Sequence, residues 1–222
     1  VTAVRRMEQE IARSRHLNAI GSLAAGVAHE IRNPLSSIKG FAVYFRQRLT
    51  GNKEDEETAD IMIAETERLN RVISQLIEFA RPLELKAEPA DLADLARQTI
   101  RLIAAEAKEK SVVVDMKAQE DLPWLPIDPD KIKQVLLNIF LNALAAMPGG
   151  GRLSVGLAAE NNFLTVTVSD TGEGISEEHL PRIYDPYFTS KPAGTGLGLA
   201  IVQKIMDAHG GVIQMESKAG VG

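Results

Sequence analysis

The sequence predicts a multidomain chain of the α and α+β classes, in which a helical hairpin precedes a mixed α/β domain. Three observations support this prediction. Apolar residues recur every three or four positions through the first part of the chain. One acidic stretch interrupts that pattern and divides it into two helices. Farther along, short alternating stretches typical of strands are interspersed with helical patterns.

The first helix carries an apolar stripe from Ile20 to Leu49 that continues through Pro34. The polar segment before Ile20 extends the pattern and is typical of a coiled-coil entry. Proline in a helix interior costs about 3 kcal/mol, because it removes a hydrogen bond to the carbonyl four residues earlier. Helix stability therefore does not explain the stretch "VAHEIRNPL", Val27 to Leu35.

The stretch "TGNKEDEE", residues 50–57, separates the two helices, and its acidic end suits the N-terminus of the second helix because the helix dipole favours negative charge there. Its apolar stripe runs from Ile61 to Ala80, and Pro82 should end it. A hairpin cannot cover both stripes by itself. We therefore expect residues 1–86 to form a dimeric four-helix bundle with a second copy.

Residues 87–222 read as the mixed α/β domain, a sheet covered by helices on one side. Asp128 and Pro129 are a typical helix start, with Asp as the cap and Pro in the first turn. The predicted elements are a helix over 91–108, a strand in "SVVVDM", a helix over 128–147, paired strands in "RLSVGLA" and "FLTVTVSD", a helix over 196–209 and a strand in "GVIQMES".

Composition excludes several classes of protein. The 222 residues contain no cysteine, which excludes disulfides and thiolate metal sites. The net charge of −5 argues against a nucleic-acid partner, and no apolar run reaches membrane-spanning length. Because the chain begins at Val1, we expect it to be a cytoplasmic piece of a longer protein. Any membrane attachment would come from a preceding N-terminal region.

His29 is the first candidate functional residue. It lies about 200° around the helix from Val27 and from Ile31, so it faces away from the apolar stripe. A solvated surface histidine is the simplest interpretation. The zinc-protease helix pattern is a second alternative, but position 33 is Asn where that pattern requires a second His.

Asn138 and Asn142 are four positions apart and share one face of an otherwise apolar helix, with Gln134 one turn earlier. Asparagine is a poor helix former, and an unpaired buried amide costs roughly 1–3 kcal/mol. The pair therefore indicates a ligand site. The alternative is that nearby backbone groups satisfy both amides.

Two glycine-rich stretches follow. "SDTGEGIS" comes directly after a strand and contains Asp170, although Asp-x-Gly-x-Gly alone is a common turn. "GTGLGL" begins at Gly194 and opens a helix, whose first backbone N–H groups can hold phosphate. Lys191 precedes it and can add a cation.

Together these stretches resemble the motifs of the sensor histidine kinases of two-component systems, in the same order and spacing. "AAGVAHEIRNPLSSIKGF" resembles the phospho-acceptor box, "QVLLNIFLNALAAM" the asparagine box and "SDTGEGIS" the first glycine box. "YDPYFTSKPAGTGLGLAIV" resembles the aromatic box, nucleotide lid and second glycine box. The resemblance spans about residues 16–222. It implies a dimerisation and histidine-phosphotransfer hairpin followed by a Bergerat-type (GHKL) ATP-binding sandwich.

The activity that this resemblance implies is ATP-dependent autophosphorylation of His29, followed by transfer to an aspartate of a response regulator. Glu30 would act as base and select the tautomer of the imidazole. Asn33 would orient water for attack on the regulator's phosphoaspartate, which would add a phosphatase activity. Alternatively, Asn33 and Pro34 together set a bend in the helix.

The resemblance also implies an ATP site with Mg²⁺. The side-chain oxygen of Asn142 would bind the metal, Asp170 would accept the adenine amino hydrogen, and Lys191 would contact the γ-phosphate. The other predicted nucleotide-binding residues are Asn138, Gly172, Gly174, Gly194, Thr195, Gly196, Leu197 and Gly198. The expected partners are a second copy of the chain, a response-regulator receiver domain and, at the hairpin, a protein inhibitor.

Two departures from the family pattern affect these expectations. Ala145 stands where many members carry a basic residue, so Lys191 would carry more of the phosphate contact. The third glycine box ends at "SKAGVG", so we expect the catalytic domain to lack its last strand. Two other functions remain open. One is a free ATPase, although such relatives carry a glutamate where this chain has Asn138, and the other is a nucleotide-binding scaffold without transfer.

Overall fold

A computed structural model describes residues 31–49, 52–160, 163–191 and 194–222. Contacts divide the chain into two units. The first unit comprises residues up to Pro82 together with Lys191–Leu197, and the second comprises Leu83–Ser190 together with Gly198–Gly222. In the described ranges, no helix is long and apolar enough to cross a membrane.

The first unit contains the predicted helical hairpin. Helix α1 occupies 31–48 of the described residues and is continuous through Pro34. Helix α2 spans Lys53–Ala80, and the side chain of Asn52 caps it by accepting the Glu54 N–H at 3.2 Å. Acidic residues fill its first turn, and it ends two residues before Pro82. Both predicted boundaries of this helix are confirmed.

Polar contacts between α1 and α2 repeat every seven residues along both helices. They join Arg32 Nη2 to Ser74 Oγ at 3.4 Å, Lys39 Nζ to Glu67 Oε1 at 2.7 Å, and Arg46 Nε to Asp60 Oδ1 at 2.8 Å. The buried residues Leu35 and Ala42 of α1, and Ala59 and Thr66 of α2, have the same spacing. A seven-residue repeat is the signature of coiled-coil packing, here between antiparallel helices.

The hairpin leaves a large apolar surface exposed. Among the described residues of the hairpin, nine large apolar or aromatic side chains are between 40% and 68% exposed. They are Ile31, Ile38, Phe41, Tyr44, Phe45, Leu49, Ile61, Met62 and Leu69. We call this set the exposed apolar stripe. Six of them, namely Ile31, Ile38, Phe45, Leu49, Ile61 and Leu69, belong to the apolar pattern that predicts a second copy.

The second unit contains two sheets. The smaller pairs β1, Glu88–Ala90, with β3, Leu125–Ile127, in antiparallel orientation. The larger has the order β2-β4-β5. Its strands are β2 (Val112–Ala118), β4 (Gly151–Glu160) and β5 (Phe163–Asp170), of which β2 runs parallel and β5 antiparallel to β4.

Helices cover one face of the larger sheet, as predicted. Helices α3 (Leu92–Glu109) and α4 (Pro129–Ala146) lie on the sheet, and α5 (Gly198–Ala208) packs against α4. A 3₁₀ turn spans Leu180–Arg182. Alternate residues of β4 are buried among α3 and α4, whereas alternate residues of β5 are exposed. The core between these layers is closed, since Phe140, Leu144 and Leu153 have no exposed surface.

Two parts of this unit differ from the prediction. Strands β1 and β3 were not predicted, because each has three residues including a proline, which weakens the strand signal. The predicted strand over 211–217 is wrong. Its residues keep the period-two alternation of exposure, but no described strand pairs with them. A strand requires the hydrogen bonds of a neighbour, and alternation alone does not supply them.

Candidate functional site

Helix α4 presents the two predicted amides. The Asp128 side chain caps the helix by accepting the Lys131 N–H at 3.1 Å, and Pro129 occupies the first turn. Asn138 is half-buried and Asn142 is exposed. The free-energy cost of burying an unpaired amide, from which the ligand site was predicted, therefore applies in part to Asn138. It does not apply to Asn142.

The start of α5 lies next to these amides. A Cβ atom added to Gly198 would lie 3.7 Å from Asn138 Oδ1 and 3.9 Å from Asn142 Nδ2. The structure thus brings together three predicted residues that are up to 60 positions apart in the chain. They combine two side-chain amides with a helix N-terminus, and such a combination can bind an anion and its hard metal ion.

The first glycine loop packs against the end of α4. Asp170 is half-buried at the end of β5, and its Oδ1 accepts the Gly172 N–H at 2.9 Å. A Cβ atom on Gly172 would lie 2.6 Å from the Ala146 carbonyl oxygen. Glu173 donates its N–H to that same oxygen at 3.0 Å. Glycine at 172 is thus required for packing within the protein.

Glycine at position 174 is also required by contacts within the protein. Its φ of +67° is in the left-handed region, and a Cβ atom there would lie 2.2 Å from the Lys218 carbonyl oxygen. Ser217 Oγ accepts the Ile175 N–H at 2.8 Å, and Gly220 donates its N–H to the Glu173 carbonyl at 2.7 Å. Close approach to a base remains a prediction for Gly172 and Gly174. The support from residues 217–222 was not predicted, because these residues are distant from the loop in the chain.

Residues 191–197, the remaining predicted lid and phosphate-loop residues, belong to the first unit. Gly194 donates its N–H to the Lys191 carbonyl at 3.0 Å, and Gly196 has a φ of +67°. Thr195 Oγ1 accepts the Leu197 N–H at 3.4 Å and donates to Gln75 Oε1 of α2 at 2.6 Å. The predicted phosphate loop is therefore divided between the units, with only Gly198 grouped with the asparagines.

The predicted catalytic residues lie in the hairpin. His29 and Glu30 lie outside the described residues. Asn33 is exposed in the first described turn of α1, and its carbonyl accepts the Ser37 hydroxyl at 3.3 Å. An exposed side chain at this position is compatible with either of its predicted roles.

Phe188, in the aromatic box, is engaged in packing. Its ring meets the His179 ring edge-to-face at a centroid distance of 5.3 Å, and the Arg182 guanidinium carbon lies 4.5 Å from its centroid. Nearby, burial raises the pKa of the Tyr184 phenol. These contacts order the segment that follows the first glycine loop.

The residues present fit ATP with Mg²⁺. Asparagine oxygen is a hard donor, and Mg²⁺ in phosphate-transfer sites is usually held by one or two protein oxygens, phosphates and waters. Among the described residues, no cluster of three or more His, Cys, Asp or Glu side chains has the arrangement of a metal site. The amide oxygens of Asn138 and Asn142, beside the α5 N-terminus, are donors of this hard type.

Two protein-family models match the chain. The "His Kinase A (phospho-acceptor) domain" matches residues 19–85, and the "Histidine kinase-, DNA gyrase B-, and HSP90-like ATPase" matches residues 127–222. Sensor histidine kinase ZraS of Escherichia coli (strain K12) is 43% identical over 216 residues, which cover 97% of this chain and 46% of ZraS. The chain thus spans about half the length of this curated relative.

Solved structures of histidine kinases are also similar to this chain. Full-length ShkA in complex with AMPPNP has a TM-score of 0.74 at 26% identity, covering 90% of this chain and 43% of ShkA. Histidine kinase ThkA in complex with response regulator protein TrrA has a TM-score of 0.67 at 27% identity, covering 95% of this chain and 61% of that one. The ThkA catalytic domain alone has a TM-score of 0.54 at 31% identity, covering 62% of this chain and 90% of that domain.

Proposed function

We propose, from the premise that this chain belongs to the sensor histidine kinase family, that it autophosphorylates on His29 and passes the phosphoryl group to an aspartate of a response regulator. The observation that supports this proposal best is the meeting of Asn138 and Asn142 with Gly198, in the domain whose family model is an ATPase. We propose residues 1–86 as the phosphotransfer hairpin and residues 87–222 as the ATP-binding domain.

In the proposed reaction, a neutral His29 ring nitrogen attacks the γ-phosphorus. The nitrogen–phosphorus bond forms while the bond to the leaving ADP oxygen breaks. Glu30 accepts the proton from the other ring nitrogen, so that the phosphorylated imidazole returns to neutrality. Positioning and charge stabilisation supply most of the catalysis in such transfers. The described residues that would supply them are Asn142, Lys191 and the N–H groups at the start of α5.

The nucleotide would be held by the residues that the family motifs assign. Asp170 would accept the adenine amino hydrogen, and Gly172 and Gly174 would line the base. The residues proposed along the phosphates are Asn138, Lys191, Gly194, Thr195, Gly196, Leu197 and Gly198. Asn142 would hold Mg²⁺, which, when bound, neutralises charge on the phosphates.

The hairpin would dimerise through its exposed apolar stripe. Large contiguous apolar surfaces on a protein usually mark an interaction site, and the coiled-coil repeat of α1 and α2 is suited to a four-helix bundle. The receiver domain of the regulator, or a protein inhibitor, would dock on the outside of this bundle. Cytoplasmic placement, with any membrane anchor in a preceding region, also remains a proposal.

A free ATPase is the less favoured alternative. That function needs a general base to activate water, and at the matching position α4 carries Asn138, whose amide is not a base. We therefore expect slow hydrolysis and preferred transfer to His29.

Labelling with γ-³²P-ATP, followed by acid treatment, tests the proposal. The wild-type protein should take up acid-labile label, because phosphohistidine is hydrolysed by acid. His29→Gln should take up none but bind AMPPNP normally, since its nucleotide site lies in the other domain. A free ATPase would release phosphate without retaining label. A scaffold would neither take up label nor release phosphate. Acid-labile label on His29→Gln would refute the assignment.

Asn142→Asp tests the metal ligand. It should weaken binding of Mg²⁺-AMPPNP in titration calorimetry, because a carboxylate adds charge near the phosphates, while the hairpin remains folded. Asn161→Asp is a control that adds the same charge on the same domain. Unchanged binding together with unchanged autophosphorylation of Asn142→Asp would remove Asn142 from the site.

The proposed phosphatase activity is tested at Asn33. Asn33→Ala should slow loss of phosphate from the regulator, because the water-orienting amide is removed, while His29 autophosphorylation largely survives. If both activities fall together, Asn33 shapes the helix instead. If neither changes, both interpretations fail.

A further inference from the structure

Helices α4 and α5 run antiparallel and are joined by a hydrogen bond at the end opposite the candidate site. The backbone N–H of Asp128, which caps α4, donates to His209 Nε2 at 3.0 Å. His209 Nδ1 lies 2.8 Å from the Ile205 carbonyl oxygen, in the last turn of α5. A carbonyl can only accept, so Nδ1 carries the proton and Nε2 is free to accept. The two contacts together require the neutral Nδ1–H tautomer.

Asp128 is an unusually fixed partner for this bond. Its residue is 6% exposed. Its Oδ1 accepts the Lys131 N–H at 3.1 Å, its Oδ2 accepts the Lys86 N–H at 2.9 Å, and its carbonyl accepts the Ile132 N–H at 3.0 Å. Every polar group of Asp128 is therefore engaged, and its N–H points in a set direction.

The preceding strand adds to this fixation. Glu88 of β1 is paired with Ile127 of β3, the residue directly before Asp128. Beyond that pairing, the Asp128 carboxylate accepts the Lys86 N–H, so α4 begins from an anchored point.

The buried residues of α5 are Ala200, Ile201, Val202 and Ile205, all apolar. Their packing opposes sliding of α5 along α4 through shape but supplies no directional bond. A hydrogen bond is directional. The bond from Asp128 to His209 fixes one end of α5, and the 11-residue helix carries that position about 16 Å to Gly198 at the other end.

We propose that His209 is a positioning residue for nucleotide binding. By accepting the Asp128 N–H it fixes the axial register of α5 on α4, and thereby the distance between the α5 N-terminus and the amides of Asn138 and Asn142. This inference rests on the proposed nucleotide site and adds to it a residue that contacts no part of the nucleotide.

Two matched substitutions test the proposal. In His209→Gln, the side-chain oxygen reaches the place of Nε2 and can accept the Asp128 N–H. In His209→Asn, the shorter amide can replace Nδ1–H toward Ile205 but cannot reach Asp128. Both remove the imidazole ring, so a role in packing alone would affect them similarly.

AMPPNP affinity, measured by titration calorimetry on the whole chain, is the first readout. His209→Asn should bind roughly two- to tenfold more weakly than wild type, the range of one lost hydrogen bond. His209→Gln should stay within about twofold of wild type. Equal affinity of all three proteins would overturn the proposal, and so would equal loss in both variants. If wild type itself does not bind AMPPNP, the proposed function fails instead.

The tautomer of His209 is the second readout and needs no variant. Two-bond ¹⁵N–¹H correlation spectra of the wild-type protein should show Nδ1 protonated and Nε2 bare. In addition, the Asp128 amide should be protected from hydrogen exchange in wild type and His209→Gln. A proton on Nε2 would exclude the bond and overturn the proposal, even if His209→Asn fails to fold.

Discussion

The hairpin and the α/β unit differ in how completely they bury their large apolar side chains. In the α/β unit, Phe140, Leu144 and Leu153 have no exposed surface, and two layers close over them. In the hairpin, Phe41 and Ile61 are 62% and 68% exposed, and the polar pairs that join its two helices are exposed or half-exposed. A sheet with helices on one face has a core of its own. Two helices have no second layer to cover their exposed apolar stripe, and the proposed dimer would cover it.

The largest expected effect comes from opening the closed core. Phe140→Ala should lower the free energy of unfolding of the α/β unit by about 3–5 kcal/mol, because it removes a fully buried ring and leaves a cavity. Urea unfolding followed by circular dichroism would measure it. Phe163→Ala is the matched control, since Phe163 is 62% exposed. A comparable loss in the control would contradict the contrast between core and surface.

Ile38→Glu tests the open surface of the hairpin. Ile38 is 44% exposed in the single chain, and in the proposed bundle a charge there would be buried without compensation. Light scattering should give roughly twice the 24.1 kDa chain mass for wild type and the monomer mass, or aggregate, for the variant. Gln47→Glu adds the same charge about 180° around the helix and should remain dimeric. A monomeric wild type at micromolar concentration would contradict the bundle.

Asp128→Asn should have a smaller effect that depends on pH. Burial tends to raise the pKa of Asp128, but hydrogen bonds from the N–H groups of Lys86, Lys131 and Asp130 outweigh it, so the pKa lies below its ordinary value. The ionised carboxylate therefore stabilises the folded state above about pH 3.9, and this contribution is lost as the pH falls through the lowered pKa.

The measurement is the difference in unfolding free energy between wild type and Asp128→Asn across this pH range. It should be about 1–3 kcal/mol at pH 7, since a charged acceptor is lost, and should shrink toward pH 3. Asp130→Asn, on an exposed neighbour, should show little difference at either pH. A constant difference across the range would mean that the charge of Asp128 is not what stabilises the fold.

The smallest expected effect concerns the Lys39–Glu67 pair of the hairpin, whose side chains are 41% and 45% exposed. The hydrogen bond from Lys39, and then its charge, lower the pKa of Glu67. In Lys39→Met, NMR titration should show that pKa returning toward its ordinary value, with little change in stability. Lys53→Met removes a cation 3.9 Å from Glu57 and should leave Glu67 unchanged. A Glu67 pKa unaffected by Lys39→Met would show that the pair does not form in solution.

Much of the fold was predictable because its signals are local. The caps at Asn52, Asp91 and Asp128 each precede a helix and accept N–H groups two or three residues later. Strands β4 and β5 alternate strongly enough to be recognised. The strand predicted over 211–217 failed for the opposite reason, since alternation is local and pairing is not.

The candidate site was predictable in composition and only partly in arrangement. Asn138 and Asn142 share a helix face because four residues make about one turn, so their proximity follows from the sequence. Their meeting with Gly198 depends on how α5 packs, and the motifs alone did not specify it. The requirement for glycine at 172 and 174 likewise depends on Ala146 and Lys218, which are distant in the chain.

The sequence by itself determined the two-part organisation, the limits of most helices and the family motifs, because each depends on residues within a few positions of one another. The tertiary structure alone decided the β1–β3 pairing, the grouping of Lys191–Leu197 with the hairpin unit, and the bond from Asp128 to His209. Asp128 and His209 are 81 positions apart. No local pattern encodes such a contact, because it forms only when packing brings the end of one helix to the beginning of another.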